Sequence, residues 1–147
     1  MRKIDNFKGE YYFLSNFYPA HTEYEGLKYL NSEAAFQAAK CKDENIRILF
    51  TKLPPNQAKS KGRKVELRDN WDDIRDEVMY DIVYNKFSQN EDLKEKLLNT
   101  GGIYLEEGNW WHDNYWGQCN CYRCRNIHGL NKLGKILMQV RDELRGE

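Results

Sequence analysis

The sequence predicts an α+β fold, predominantly helical, with a small β-sheet near the N-terminus. Three observations carry that expectation. Apolar residues recur at helical spacing through Ile74, Val78, Ile82, Tyr84 and Phe87, with Met79 and Val83 widening the stripe. Residues 22–29 alternate about the pair Glu25-Gly26, which reads as a short hairpin. Rings make up 14% of the 147 residues (4 Trp, 10 Tyr, 6 Phe), so a core rich in aromatics offsets a mean hydropathy of −0.91 and argues against disorder. A chain of this length buries about 68–70% of its unfolded surface and needs no metal or disulfide merely to fold. No repeat, low-complexity tract or linker divides it, so one domain over residues 1–147 is expected.

The elements follow in order. The first 30 residues mix aromatic and polar side chains in strands and turns, with a break at Phe17-Tyr18-Pro19. Asn31 or Ser32 caps a helix through Glu33–Lys40, a run of strong helix formers. Glu44–Phe50 is a second short helix that stops before Pro54-Pro55. Residues 56–60 add one further turn, ended by Gly62. The long helix follows Asp72 or Asp73, and Asn90 caps the next, which ends at Thr100-Gly101-Gly102. Ile103–Glu106 reads as a strand. Gly108–Gly129 shows no period and is far longer than most connections. It holds three of the four tryptophans, which favours function over disorder. Leu133, Leu137, Val140 and Leu144 fall on one face of a closing helix.

Charge narrows the class. Lys plus Arg and Asp plus Glu both total 23, giving net charge +0, so bulk positive charge does not drive the chain onto nucleic acid. No apolar run approaches the roughly 18 residues of a membrane span, and the N-terminus has no signal-peptide core. Three of four cysteines cluster within Cys119–Cys124, which suits a reducing compartment. A cytoplasmic protein with no membrane partner is expected.

Four segments hold groups that can do chemistry. Glu33, Gln37 and Lys40 rise from one helical face, a carboxylate, an amide and an amine able to bind a sugar and move protons. From spacing alone the favoured reading is an ordinary solvated stripe, with Glu44, opposite Ala35, Phe36 and Ala39. In the long loop, Glu106, Glu107, His112 and Asp113 stand among Trp110, Trp111, Tyr115 and Trp116. Aromatic walls stack a planar base and raise nearby carboxylates, as glycosidic cleavage requires; the alternative is tryptophans that fill the core. Cys119, Cys121 and Cys124 with His128 offer a Cys₃His zinc set, with His112 competing as fourth ligand. Ordinary reduced thiols are the favoured reading, so no metal is expected. Lys59, Lys61, Arg63 and Lys64 around Gly62 can meet a phosphate, and Lys86 ends the long helix.

The order of these motifs resembles a known family. It runs from Phe13-Leu14-Ser15-Asn16-Phe17 through Ser32-Glu33 with Gln37 and Lys40, then Ala58-Lys59 with Gly62-Arg63. Trp71 with Arg75 and Met79, Lys86-Phe87 with Gln89-Asn90, and Leu97-Leu98-x-Thr100-Gly101 continue it. Leu105-Glu106, Asp113 with Trp116-Gly117, and Gly129, Asn131, Leu133-Gly134, Leu137-Met138 and Arg141 complete it. Together they resemble the NADAR family (YbiA-like proteins) over nearly the whole chain. The resemblance implies a YbiA-like α+β fold and hydrolysis of N-glycosides of ribose. The implied substrate is nucleotide-like: a ribosylamino-pyrimidine phosphate of riboflavin synthesis, or NAD-derived ADP-ribose on guanine, including guanine in nucleic acid.

Under it, Lys40 is the nucleophile at C1′ through an imine, with Lys86 in reserve. Glu33 shuttles protons or holds the ribose, and Asp113 is the general acid, with Glu106 the alternative. Trp71, Trp110 or Trp116 stacks the base, Lys59 and Arg63 hold phosphate, and Asn16, Gln37, Gly117 and Asn131 complete the substrate contacts. No cofactor is implied. The family pattern often carries His-Tyr after the helix glutamate; Ala34-Ala35 here removes two possible contacts. Two readings compete: a zinc-stabilised module that grips single-stranded nucleic acid, and a non-catalytic protein that binds ADP-ribose or NAD.

Overall fold

The computed structural model describes residues 2–147. Backbone contacts group them into two compact units, a central one spanning Asn16–Glu91 and a terminal one joining residues up to Ser15 with Asp92–Glu147.

In the central unit, the hairpin pairs β2 (Thr22–Tyr24) antiparallel with β3 (Leu27–Tyr29), in register Thr22 with Tyr29. Glu25 and Gly26 both take positive φ, 49° and 84°, which is the backbone of a tight hairpin turn. The first helix, α1 (Ser32–Ala39), starts where expected: Asn31 Oδ1 accepts the Ala34 N–H at 2.7 Å. Nearly every residue of α1 is buried, because its alanines let α3 (Pro55–Gly62) and α4 (Trp71–Gln89) pack closely against it. The short helix α2 (Glu44–Arg47) passes into a 3₁₀ turn over Ile48–Phe50, as the sequence pattern predicts for that segment. Along α4 the buried row runs Val78, Ile82, Lys86 at steps of four, beside Met79, Val83 and Phe87. Tyr84, assigned to the stripe, is half-buried and stacks on Tyr80 with ring centroids 6.2 Å apart.

In the terminal unit, β1 (Lys3–Ile4) lies parallel to β4 (Tyr104–Leu105), so segments remote in sequence share one small sheet. A 3₁₀ turn over Gly9–Leu14 occupies the segment read as strands and turns. Helix α5 (Glu91–Leu98) stops at Gly101, whose φ is 64°. Helix α6 (Lys132–Arg145) buries Leu133, Leu137, Val140 and Leu144 as expected, and Ile136 besides. It runs so close to β4 that a Cβ at Gly134 would overlap the Leu105 carbonyl. The buried Arg141 Nη1 donates to Thr100 Oγ1 (2.9 Å) and to the Ile103 carbonyl (2.8 Å), closing the end of α5. Inside the long loop, β5 (Gly108–Asn109) and β6 (Gln118–Cys119) pair in parallel, two short strands that no periodicity announces. No helix among the described residues is long and apolar enough to cross a membrane.

Candidate functional site

The polar face of α1 is the centre of the central unit's chemistry. Its entry is fixed by Asn16, which is buried: Ser32 Oγ donates to Asn16 Oδ1 at 2.9 Å and the Glu33 N–H to the Asn16 carbonyl at 3.0 Å. Asn16 is thus a scaffold for the start of the helix. One turn on, Gln37 Nε2 donates to Glu33 Oε2 at 2.6 Å, a charge-assisted bond that holds the carboxylate in place. Gln37 is only 7% exposed, and its Oε1 has no hydrogen-bond partner. A buried orphan of this kind costs about 1–3 kcal/mol, an outlay tolerated where a side chain is held for another task. The same oxygen lies against Gly62, where a Cβ would overlap it and come within 3.1 Å of Lys40 Cε.

Lys40 closes α1 and is half-buried. Burial holds its amine below the ordinary lysine value; Glu33 and Cys41 oppose the shift and the Arg63 charge adds to it. The face is therefore not the solvated stripe that spacing alone allows. It is a carboxylate, an amide and an amine whose charged form burial disfavours, packed under α3. Arg63 is exposed at the end of α3, and Lys59 Nζ lies 5.9 Å from the centre of the Phe17 ring. These two cations from one helix end suit an anionic group.

Lys86 is a second unusual amine. It is 1% exposed, its Nζ 5.0 Å from the Phe87 ring centre and 5.9 Å from that of Tyr18, and burial pulls it down to about 7. Its step of four from Ile82 is the sequence signal that places it in the row Val78, Ile82, Lys86. Trp71 is buried, with its ring 5.3 Å from Phe36, so it serves packing where stacking on a base was also expected.

The terminal unit holds the other named residues. Glu106 forms an ion pair with Lys3 at 3.3 Å. Asp113 Oδ1 accepts the N–H groups of Tyr115 (3.1 Å) and Trp116 (2.9 Å), so it caps the turn that the tryptophans occupy. Asn131, the left-handed residue before α6, is a buried staple: Oδ1 accepts the Glu107 N–H at 3.0 Å, and Nδ2 donates to the Leu105 carbonyl at 2.9 Å. A Cβ at Gly117 would overlap the Glu107 carbonyl, which explains the glycine by close backbone approach. The tryptophans do not fill a core: Trp110 is 67% and Trp111 57% exposed, while Trp116 is half-buried edge-on to Tyr115 at 4.9 Å.

The three thiols of the loop do converge, but on a different histidine from the one first paired with them. His112 Nδ1 lies 3.3 Å from Cys124 Sγ, 3.4 Å from Cys121 Sγ and 3.9 Å from Cys119 Sγ. His128 is exposed and outside this cluster. Burial raises the Cys119 thiol, yet hydrogen bonds from Cys121 and the His112 N–H bring it down to about 7; burial pushes Cys124 up.

Comparison with known proteins adds ancestry to this geometry. The sequence pattern of the NADAR domain matches residues 5–145. The chain is 36% identical over 137 residues to an N-glycosidase of Nostoc punctiforme, covering 89% of this chain and 84% of that protein. It is 33% identical over 133 residues to N-glycosidase YbiA of Escherichia coli, covering 88% and 79%. A riboflavin biosynthesis protein of Vibrio vulnificus is 38% identical over 135 residues, 90% of this chain; the chain spans only 35% of that longer protein. The NMR structure of E. coli YbiA superposes with a TM-score of 0.81 and 32% identity, over 99% of this chain and 87% of that one.

Proposed function

The chain belongs to the NADAR domain family, and from that premise we propose that it is an N-glycosidase that cleaves the bond between ribose C1′ and a nitrogen. The observation that carries the reading is Lys40. Its amine is drawn below the ordinary lysine value by burial, one helical face with a carboxylate that Gln37 holds in position. A neutral amine is a nucleophile and an ammonium is not, so burial that disfavours the ammonium favours the reactive form.

Lys40 Nζ attacks C1′, the C1′–N glycosidic bond breaks with its electron pair going to the leaving nitrogen, and that nitrogen takes a proton from water. The lysine nitrogen then releases its own proton through Glu33 to the ring oxygen as the C1′–O4′ bond opens, giving an iminium between Nζ and C1′. Water adds to C1′, the imine collapses, and free sugar and free amine return. Arg63 and Lys59 hold the substrate's phosphate. The substrate is a ribosylamino-pyrimidine phosphate or an ADP-ribosyl group on guanine; the family names of the relatives favour the first, and both present the same C1′–N bond.

The test is to incubate each substrate with the protein and borohydride, which reduces the iminium to a stable adduct. Wild-type protein is expected to trap and Lys40→Ala to lose trapping and about a thousandfold or more in kcat/KM. Trapping that survives in Lys40→Ala removes Lys40 from the role. Loss of trapping in Lys86→Ala alone transfers it to Lys86.

A further inference from the structure

The loop between β5 and α6 gathers four metal-binding side chains that the glycosidase reading leaves unused. We propose that His112 Nδ1 and the Sγ atoms of Cys119, Cys121 and Cys124 hold one zinc ion, a structural site that fixes this loop.

The geometry is close to that of a bound site. The four ligand atoms all lie within 4.8 Å of one another. Zinc takes thiolate sulfur at about 2.3 Å and imidazole nitrogen at about 2.0–2.1 Å in a tetrahedron, which sets each N···S separation near ~3.5 Å. The observed values of 3.3, 3.4 and 3.9 Å bracket that distance. A disulfide does not account for the arrangement, because it would use two thiols and leave the third facing an imidazole; all four cysteines are free.

The backbone is arranged around the cluster as well. His112 has φ 71°, a left-handed conformation uncommon outside glycine, and its N–H donates to Cys119 Sγ at 3.3 Å. Cys119 sits on β6, while Cys121 precedes and Cys124 ends one 3₁₀ turn, closed by the Cys124 N–H to the Cys121 carbonyl at 3.1 Å. This loop has little apolar cover of its own: Trp110, Trp111 and Tyr122 are all exposed. A metal supplies the cross-link that such a segment lacks.

Zinc takes the three sulfurs as thiolates, so binding releases to solvent whatever protons the thiols still carry, with no oxidation or reduction. All four positions come from the protein, so no site remains for water and the ion serves structure, not catalysis. Iron is the competing ion for a thiolate-rich tetrahedron.

The test is metal analysis of the full chain purified from zinc-supplied cells, with cobalt reconstitution of the unmutated protein. About one zinc per chain is expected, and cobalt should give the intense visible bands of a tetrahedral thiolate complex. His112→Ala and Cys121→Ser should lower zinc content about tenfold or more, while His128→Ala retains it. Less than about a tenth of an equivalent of zinc in wild-type protein, or stoichiometric iron in its place, overturns the proposal. So does a His112→Ala protein that keeps its zinc, or cobalt bands that report oxygen ligands only. Because the cobalt spectrum is taken on unmutated protein, a variant that fails to fold leaves the proposal open to refutation.

Discussion

The polar face of α1 and the loop between β5 and α6 both concentrate titratable side chains, and they do so by different means. On α1, the helical period brings Glu33, Gln37 and Lys40 to one side, and the small residues around them let α3 and α4 bury that side. In the loop no period operates. Its backbone is held by polar side chains instead: Asn109 alone accepts the N–H groups of Trp111 and Asp113 and donates to the Asp113 carbonyl. The helical region therefore spends packing energy to shift the protonation of amines, whereas the loop uses hydrogen bonds, and by our proposal zinc, to hold a shape. Helical burial tunes reactivity; side-chain bonding to the backbone confers order where no regular structure supplies it.

That difference is open to measurement, the pH response being the largest effect. The ordinary Lys86 value is 10.5 and the folded value about 7. Between the two, the unfolded chain carries a proton that the folded chain lacks, so stability climbs with pH by about 1.4 kcal/mol per unit. Below about 7 both states are protonated and the contribution is flat at its minimum. Urea unfolding from neutral pH to pH 10 should show the climb, and Lys86→Met should flatten it. An unchanged slope in that variant would break the claim that helical burial sets the amine's protonation.

The loop's own test is Asn109→Ala. It removes an acceptor from two N–H groups and a donor from a carbonyl at a buried position, a cost of about 2–3 kcal/mol in urea unfolding. A cost below about 0.5 kcal/mol would mean that the loop does not depend on these bonds.

Gly62→Ala gives the smallest effect and the sharpest contrast. Alanine is the better helix former by up to about 1 kcal/mol, but overlap with the buried Gln37 side chain costs about 1–3 kcal/mol, so stability should fall by about 1 kcal/mol. The new Cβ displaces Gln37 Oε1 and presses on Lys40, so kcat/KM should fall about tenfold, a loss of ~1.4 kcal/mol in transition-state binding. Full activity with unchanged stability would remove Gln37 and the α1–α3 contact from the mechanism.

Much of the helical half was legible. The Asn31 cap, the Glu25-Gly26 turn, the stop at Gly101 and the buried row on α6 are each local, decided by residues within a few positions of one another. Lys86 was read only as a basic residue ending the long helix; its step of four from Ile82 is the signal that places it on the buried row. The site residues behaved less uniformly. Asn16 and Asn131 were expected to meet substrate; the Asn16 amide bonds Ser32 Oγ and Met79 Sδ, and the Asn131 amide bonds the Glu107 N–H and the Leu105 carbonyl. A side-chain amide reads the same in sequence whether it faces a ligand or another part of the chain. The pairing of β1 with β4 joins positions about a hundred residues apart, and two-residue strands are too short to show alternation.

Sequence by itself determined which side chains share a helical face, since 3.6 residues per turn leaves Glu33, Gln37 and Lys40 no other arrangement. Tertiary structure decided that this face is buried, for that depends on how near Gly62 of α3 can come. It also decided that His112 and not His128 joins the three thiols. Separation along an irregular loop says nothing about distance in space; a left-handed turn at His112 and the parallel pairing of β5 with β6 do.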